Sequence, residues 1–408
     1  MPEDISMTAP GRSSNSSPNS APDVGPTLAW LTVRAMQEVR RASFLLAGTC
    51  QRLREAGLPL DRASLHIRQL HPLFAARTLV WNSETGGTVQ LDRAHGVQNT
   101  EMFMRSPVKS IYEGAPALRR RLNGAEAPLD FPILEDLKAQ GYADYTIRPI
   151  RFSRNQTMAV SFATRRDSGF QDSDIAALEA VLPTFGLALE LQETQRTAQM
   201  LLETYIGPIA GENVLEGSIR RGDGAMIHAV VWFSDLRDFT GLSETRPLDE
   251  VLDVLNLYFD AVCAAVTGHG GEILKFIGDG VLAIFPIAER GSGDAAAAAA
   301  AFKAARQALR NLEARCSEIC EIHCGIALHL GDLMYGNVGA RDRLDFTVIG
   351  PAVNLATRLE PLTKGQTPPI AMSEEFLRAW GGRARSLGKT RLKGIADPRE
   401  AFVPESDS

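Results

Sequence analysis

Two aspartates stand at positions where a carboxylate could bind a cation. Asp235 follows the apolar run 229–233, where a buried strand would leave its sheet. Asp279 lies between two glycines, where the backbone can approach a ligand closely. Carboxylate oxygens bind hard divalent cations, and a pair of such cations serves phosphoryl and nucleotidyl transfer. Taken singly, Asp235 could instead cap a helix and Asp279 could be an ordinary hairpin turn residue.

The elements that must position these aspartates begin near residue 227. The pattern predicts, in order, an apolar strand ending at Asp235, an amphipathic helix over 249–267, a β-hairpin over 271–286 with Asp279 at its tip, a helix over 294–315, strand regions over 321–339 and 343–350, and a final helix that opens at Pro351. The order βαββαβ is that of a ferredoxin-like sheet with helices on one face. We therefore expect an α+β domain in this half of the chain.

Four segments of this half resemble the class III nucleotidyl cyclases. They are FSDLRDFT at 233–240, KFIGDGVLAIF at 275–285, FTVIGPAVNLATRLE at 346–360 and RLKGI at 391–395. With their order and spacing, the resemblance extends over about residues 227–403. The family makes a cyclic nucleotide from a nucleoside triphosphate at sites shared between two catalytic domains. The resemblance therefore implies a symmetric homodimer with two equivalent sites.

The resemblance also implies which residues bind metal and base. By motif position, Asp235 and Asp279 are the two metal-binding aspartates, and the backbone carbonyl of Leu236 is a further ligand. The cofactors would be two Mg²⁺ or Mn²⁺ ions per active site. Lys275 and Thr347 fall on the two purine-reading positions, and threonine there is typical of a subset similar to cyanobacterial and mammalian soluble adenylyl cyclases. A guanine reader would need a carboxylate or an amide in place of the lysine.

The remaining matches concern the triphosphate. Asn354 and Arg358 lie four residues apart, so they share one face of the predicted final helix. They match the family's transition-state pair, in which Asn354 would orient the ribose and Arg358 would neutralise charge on the α-phosphate. Lys393 matches the position of the lysine that holds the triphosphate, with Lys389 and Arg391 as nearby alternatives.

Two residues depart from the family pattern. Asp238 stands where members usually have glycine or another small residue, and Pro351 stands where many close relatives have aspartate. Neither change removes a catalytic group. The extra carboxylate of Asp238 would either weaken triphosphate binding slightly or lie in solvent without effect.

The N-terminal half has a different organisation. Residues 1–26 are rich in Ser, Pro and Asn, and we expect them to form a disordered tail. Over 27–195 the pattern predicts a helix at 27–57, strands at 77–81 and 89–91, a hairpin of strands at 145–152 and 157–164, and a long helix bent or interrupted near Pro183. The hairpin, the following turn and the closing helix resemble a GAF domain. That resemblance implies an α/β small-molecule sensor or dimerisation module, with a scaffold domain that binds no ligand as the alternative.

Residues 196–225 are predicted to form a helical linker to a catalytic domain at 226–404. Leu187, Leu191, Met200 and Leu201, with charges between them, favour a helix that pairs with its copy in a dimer. Such a linker could carry a signal from an effector that the sequence does not identify. Bicarbonate follows only from the resemblance, because the threonine subset includes bicarbonate-responsive enzymes.

Composition disfavours several other classes. The formal charge of −6 disfavours a dedicated nucleic-acid binder. No uninterrupted apolar run is long enough to span a membrane. Five cysteines, an odd number in a long chain, favour a reducing compartment, so we expect a cytoplasmic protein.

Two groups of potential metal ligands are interpreted as ordinary side chains. The first group has irregular spacing and comprises His66, His71 and His95. The second lacks the paired spacing of zinc sites and comprises Cys316, Cys320, His323 and Cys324.

The sequence thus predicts an adenylate cyclase regulated by its N-terminal domain. It would convert ATP to 3′,5′-cyclic AMP and pyrophosphate by two-metal-assisted attack of the ribose 3′-oxygen on the α-phosphate. A guanylate cyclase is the first alternative, which Lys275 disfavours. A non-catalytic nucleotide-binding regulatory module is the second, which the complete set of polar groups disfavours.

Overall fold

The computed structural model describes residues 21–37, 41–315 and 322–405. Its contacts divide the chain into two compact units, 1–200 and 201–408. The predicted tail at 1–26 falls mostly outside the described residues, and the first helix begins at Gly25. The division falls between Met200 and Leu201, and the predicted domain limits near 195 and 225 stay predictions.

The first unit is built on one antiparallel sheet. Its strands are β1 (Arg62–Arg68), β2 (Phe74–Asn82), β3 (Thr88–Ala94), β4 (Leu118–Arg121), β5 (Asp144–Arg151) and β6 (Thr157–Thr164). Its helices are α1 (Gly25–Gln37), α2 (Ala42–Glu55), α3 (Glu101–Met104), α4 (Pro107–Tyr112), α5 (Pro132–Ala139) and α6 (Asp172–Ile206). The strand order is β3-β2-β1-β6-β5-β4, and each neighbouring pair is antiparallel.

The central strand β1 shows how the two faces of this sheet differ. Ala63, Leu65 and Ile67 are fully buried on one face, in a core shared with α2 and α6. The alternate positions, from Arg62 to His66, face the other side, because side chains alternate along a strand. That second face is covered in part by α4 and α5.

Several predictions for this unit are confirmed and others are wrong. The hairpin of β5 and β6 forms as predicted, and the two shorter strands lie within β2 and β3. The helix predicted over 27–57 is two helices, α1 and α2. The sequence pattern did not predict β1, β4 or the short helices α3–α5. Helix α6 runs through Pro183, so the predicted interruption is wrong and the predicted bend stays a prediction. Val181 and Phe185, on either side of the proline, are buried in the core.

The second unit is built on an eight-stranded sheet. Its strands are β7 (Gly224–Leu236), β8 (Glu272–Ile277), β9 (Gly280–Ile287), β10 (Cys324–Gly339), β11 (Leu344–Ile349), β12 (Ile370–Ser373), β13 (Ala384–Thr390) and β14 (Arg399–Pro404). Its helices are α7 (Pro208–Leu215), α8 (Phe239–Thr245), α9 (Leu248–Gly268), α10 (Asp294–Arg315), α11 (Pro351–Leu359) and α12 (Glu374–Trp380). The strand order is β13-β14-β12-β10-β7-β9-β8, and β11 pairs with β10.

The centre of this unit follows the predicted order of elements along the chain, β7-α9-β8-β9-α10-β10. In the sheet these strands lie in the order β10-β7-β9-β8, and each neighbouring pair is antiparallel. The whole sheet is larger than predicted, because β12, β14 and β13 extend it beyond β10.

Helices cover both faces of this sheet, which corrects the prediction that they lie on one face. Val230 and Trp232 of β7 pack in a core with α9 and α10. Ala229 and Val231 face the opposite side, where α11 covers them. The alternation along β7 therefore fills two cores, since every second residue is available to each face.

Helix α9 is, among the described residues, the one helix long and apolar enough to cross a membrane by length and composition. Its residues Val254, Tyr258, Val262 and Val266 are buried against the sheet. A core helix of a globular domain has the same length and composition, so this property is weak evidence for a membrane span.

Candidate active site

The two predicted metal-binding aspartates lie next to each other. Asp235 is near the end of β7, and Asp279 lies in the turn between β8 and β9. Antiparallel pairing places Ser234 opposite Val281, which brings the end of β7 to the tip of the hairpin. An added Cβ at Gly280 would lie 3.3 Å from Oδ1 of Asp235, so the glycine leaves room for this carboxyl group.

The electrostatics of this pair favour a bound cation. Burial, then the charges of Asp279 and Glu360, raise the pKa of Asp235 to about 7, and Arg237 opposes this rise. A hydrogen bond between the two aspartate carboxyl groups acts in the same direction as burial. A divalent cation would relieve the repulsion between the carboxylates, and oxygen atoms are the ligands that Mg²⁺ and Mn²⁺ prefer. The donor set therefore fits such ions.

The part of the chain that the structure describes offers no third acidic or histidine ligand beside these two aspartates. Within the described residues, no group of three or more His, Cys, Asp or Glu side chains could hold a metal ion. A cation held by Asp235 and Asp279 would therefore complete its shell with backbone, water or substrate oxygens. This is the open arrangement expected of a site that binds a metal together with its substrate.

An ion pair that sequence reasoning missed lies beside Asp235. Nη2 of Arg237 is 3.1 Å from Oε1 of Glu360 and also donates to Oγ1 of Thr363. Gly325, opposite Asp235 in the β7–β10 pairing, lies against these side chains, and an added Cβ would overlap with all three. Nothing in the local sequence pattern links these positions, because the pairing of β7 with β10 brings them together.

A cavity of about 430 Å³ opens at the end of β7. Its lining includes the segment from Leu236 to Phe239, helix α8 and the cationic side chain of Arg246. Asp238 also lines it and has a left-handed φ of 59°. This backbone conformation explains why the resembling family usually has glycine here, and aspartate is among the few other residues that adopt it readily.

Lys275, one of the two predicted purine-reading residues, pairs with Asp345, which sequence reasoning also missed. Nζ of the half-buried Lys275 on β8 lies 3.2 Å from Oδ2 of Asp345 on β11. Thr347 lies two residues further along β11, on the same face as Asp345. It is 5% exposed, and its Oγ1 has no hydrogen-bond partner within the described residues. A buried hydroxyl without a partner is the exception in proteins, and a ligand would satisfy it.

Asn354 and Arg358 project from the exposed face of α11, as their spacing predicts. Leu355 and Leu359 are buried on its other face. Among the residues that the structure describes, neither Asn354 nor Arg358 has a side-chain hydrogen bond or ion pair with the aspartate pair. Pro351 occupies the first turn of α11, where its missing N–H has no helical partner to lose.

The other two predicted site residues differ in how well the structure places them. Leu236 ends β7, and its side chain is buried in the core of the second unit. Lys393 is exposed in the turn between β13 and β14. Its side chain forms no hydrogen bond or ion pair with another predicted site residue in the described ranges. Its role, and the choice between it and Lys389 or Arg391, stay predictions.

The histidine and cysteine groups are only partly described, and their interpretation as ordinary side chains stays a prediction. Nε2 of His95 lies 2.8 Å from the carbonyl oxygen of His71. Cys324 is a buried thiol whose pKa is raised to about 12, mainly by burial. Cys316 and Cys320 lie outside the described residues.

Residues 226–402 match the family model of the adenylate and guanylate cyclase catalytic domain. The chain is 32% identical over 228 residues to an adenylate cyclase of Dictyostelium discoideum described as terminal-differentiation specific, covering 54% of this chain and 10% of that protein. It is 33% identical over 247 residues to adenylate cyclase 1 of Rhizobium meliloti, covering 59% of this chain and 36% of that protein. The chain thus spans less than half the length of these curated relatives.

A solved structure shows the same similarity. The adenylyl cyclase CyaB from P. aeruginosa is 28% identical, with a TM-score of 0.39, and the match covers 44% of this chain and 94% of that one. Guanylyl cyclases also occur among the similar structures. The family model matches adenylate and guanylate cyclases alike, so the choice of base rests on the residues of this chain.

Proposed function

We propose that this protein is an adenylate cyclase, because residues 226–402 match the family model of the adenylate and guanylate cyclase catalytic domain. It would convert ATP to 3′,5′-cyclic AMP and pyrophosphate. The observation that carries the proposal is the contact between Asp235 and Asp279, which holds two carboxyl groups together at the open end of a sheet. Adenylate cyclases among the relatives support the same reaction.

The aspartates and the backbone carbonyl of Leu236 would hold two divalent cations, Mg²⁺ or Mn²⁺. When bound, such ions neutralise charge on the triphosphate and make the ribose hydroxyl a better nucleophile. The contribution of the chain is to fix the ligands before substrate arrives. The pairing of β7 with β9 sets the spacing of the carboxyl groups, and the ion pair of Arg237 with Glu360 supports the end of β7.

Asn354 and Arg358 would act on the reacting groups. An exposed guanidinium presents several N–H donors, which suit the extra charge that builds up on the α-phosphate oxygens. The asparagine amide would orient the ribose, so that its 3′-oxygen lies in line with the leaving pyrophosphate. Lys393 would hold the triphosphate, because its exposed ammonium group is free to reach a phosphate oxygen.

Base choice would depend on Lys275 and Thr347. The lysine ammonium can only donate, so it suits N1 of adenine, which accepts a hydrogen bond. N1 of guanine carries a hydrogen and would face the lysine as a second donor. The buried Oγ1 of Thr347 would complete its hydrogen bonding with the amino edge of adenine. Asp345, 3.2 Å from the lysine Nζ, would hold that side chain in place.

A complete site would need two copies of the chain. Within one chain Arg358 is not among the charges that act on Asp235, whereas Asp279, Glu360 and Arg237 are. A symmetric dimer would bring the α11 face of one protomer to the aspartate pair of its partner and would form two equivalent sites. The catalytic unit would keep the ferredoxin-like order of its central strands in this assembly.

We further propose that residues 27–195 form a GAF-like sensor domain and regulate the catalytic domain through the helical linker at 196–225. A change in how two linkers pair would alter an active site that spans two subunits. The effector stays unidentified, with bicarbonate as one candidate, and a cytoplasmic location stays part of the proposal.

Turnover of the purified chain tests this function. ATP and GTP would be supplied separately with Mg²⁺ or Mn²⁺, and cyclic nucleotide and pyrophosphate would be measured. We expect cyclic AMP and pyrophosphate in equal amounts, with much slower cyclic GMP formation. Faster turnover of GTP would assign a guanylate cyclase. Nucleotide binding without product in either metal would assign a non-catalytic regulatory module.

A further inference from the structure

A cavity of about 490 Å³ lies in the first unit. Its floor is the sheet face formed by β1, β2, β3, β5 and β6, and its roof is formed by α3, α4 and α5. This volume falls within the range of small-molecule sites in proteins. All of its lining residues belong to the first unit, so its chemistry can be considered without reference to the catalytic unit.

The floor of this cavity is unusually polar for a covered sheet face. Ser64 on β1 lies opposite Ser161 on β6, and both are buried at 6% exposure. His66 lies on the same face, with its Nδ1 3.2 Å from Oγ1 of Thr78. Tyr145 is also buried here and hydrogen-bonds to Ser161. Helices usually cover apolar sheet faces. Polar side chains that a helix covers need hydrogen-bond partners, and a polar ligand in the cavity would supply them.

The charges around the cavity identify the sign of that occupant. Arg62 and Arg93 line the floor, and within the described residues neither side chain forms an ion pair or a hydrogen bond. Arg105 and Glu101, at the rim, are paired with each other at 3.2 Å. Asp136 is the remaining acidic lining residue, and it is exposed on α5. Arg62 and Arg93 are therefore two cationic groups on the floor of the cavity that have no acidic partner within the described residues.

The histidine on the floor, His66, adds no charge to the cavity. Burial, with Arg62 and Arg93 adding to it, lowers the pKa of His66 to about 4. Its imidazole is therefore neutral at physiological pH and can donate or accept a hydrogen bond according to its tautomer. The roof is mainly apolar, with Val108, Ile133 and Leu137 facing the cavity. The cavity thus combines a cationic floor with an apolar roof.

We propose that this cavity binds a small organic anion, with its carboxylate or phosphate group against Arg62 and Arg93 and its apolar body under α4 and α5. Guanidinium groups bind both acids through paired N–H donors, so the two share one recognition chemistry. The hydroxyl groups of the buried serines and Tyr145 would donate further hydrogen bonds to the acid group. This site would give the first unit a ligand of defined chemical class.

The test measures binding to the full chain with two fluorescent probes that share one apolar body. Anilinonaphthalene sulfonate carries an acid group, and phenylnaphthylamine does not. We expect the sulfonate to bind at one site per chain about 10-fold more tightly than the neutral probe, as one hydrogen bond to a charged group provides. Equal binding of the two probes would overturn the proposal. Binding is measured without turnover, so the result is independent of the proposed cyclase activity.

Matched variants locate the site. Arg62→Gln and Arg93→Gln should each weaken sulfonate binding about 10-fold and leave binding of the neutral probe unchanged. Arg151→Gln is the control, because Arg151 is exposed at the end of β5 and does not line the cavity. Thermal unfolding confirms that each variant is folded, and Arg62→Lys should restore part of the affinity. Unchanged sulfonate affinity in folded Arg62→Gln and Arg93→Gln would contradict the assignment.

Competition identifies the acid group. Phenylbutyrate and phenethyl phosphate would compete with the bound sulfonate, and phenylbutyramide would serve as the neutral control. Stronger displacement by phenylbutyrate indicates a carboxylate ligand, and stronger displacement by phenethyl phosphate indicates a phosphate ligand. Displacement by the amide as effective as that by both anions would overturn the proposal.

Discussion

The two units of this chain hold their polar side chains at different places on a sheet. In the second unit, Asp235 lies near the end of a strand and Asp279 lies in a hairpin turn. In the first unit, Arg62 and His66 alternate with apolar residues along β1, and the residues of four other strands complete the same cavity. A group at a strand end is marked by its neighbours in sequence, such as the glycines around Asp279. A group on a sheet face has no such local signal, because its neighbours in space depend on which strands pair.

This difference determines what sequence can reveal. The site at the strand ends follows from short motifs, because a turn and its flanking glycines are local features. The cavity on the sheet face depends on the pairing of β1 with β6, which are distant in sequence. The two sites can be tested separately, because a change at one should leave binding at the other intact.

The largest expected effect is the loss of turnover in Asp279→Asn. The substitution removes one of the two carboxylates that would hold the cations, so cyclic AMP production should become undetectable. A turn carboxylate contributes little to stability, so the thermal unfolding temperature should change little. Binding of anilinonaphthalene sulfonate in the first unit should be unchanged, which serves as the internal control. Near-normal turnover would remove the metal assignment.

A change of base preference is the next largest effect. In the double variant Lys275→Glu with Thr347→Cys, the donor for adenine N1 is replaced by an acceptor. ATP turnover should fall much more than residual GTP turnover, because a site leaves its polar groups unpaired when the wrong base enters. The measurement is kcat/KM for both nucleotides. The same ATP-to-GTP ratio as in the unaltered chain would show that the base is read elsewhere.

Gly325→Ala should destabilise the second unit. The added methyl group would overlap with Arg237, Glu360 and Thr363, and overpacking of this kind costs about 1–3 kcal/mol. Gly268→Ala is the matched control, because an added Cβ there meets nothing within 4 Å. Denaturant unfolding of both variants measures the difference. Equal stability of the two variants would show that Arg237 and its partners move aside freely.

The smallest expected effect is a gain in stability from Thr347→Val. The buried hydroxyl has no partner within the described residues, so replacing it with a methyl group should stabilise the fold by up to about 1 kcal/mol. The same change should lower kcat/KM for ATP, because adenine loses a hydrogen bond. The combination of a more stable fold and weaker catalysis separates a ligand-binding threonine from a structural one. Loss of stability would contradict the assignment.

Sequence reasoning predicted the helices and strands at the centre of the second unit well and its side-chain pairs poorly. The helix at 294–315 has the predicted limits, because its dense alanines favour a helix over every residue. The pairs Lys275–Asp345 and Arg237–Glu360 were missed, because each joins residues far apart in sequence. Strand β13 was also missed, since its sequence ARSLGKT is largely polar and lies at the edge of the sheet.

The first unit was harder to predict for a related reason. The strand β1 contains only three core residues, Ala63, Leu65 and Ile67, separated by charged or polar residues. Its alternation is a signal for a half-buried strand, but nothing in it shows that helices cover the polar face. The structure supplies that information, and with it the cavity that contains Arg62 and Arg93.

We propose that the aspartate pair and the α11 pair act in one site built from two copies of the chain. Mixing two inactive variants tests this directly. Asp235→Ala and Arg358→Ala would be purified separately, and each should lose activity, the second by roughly 10²–10³ in kcat. After subunit exchange, a mixed dimer would contain one site with both substitutions and one site with neither. We expect cyclic AMP production to return in the mixture. A mixture that stays inactive, although labelled subunits demonstrably exchange, would contradict it.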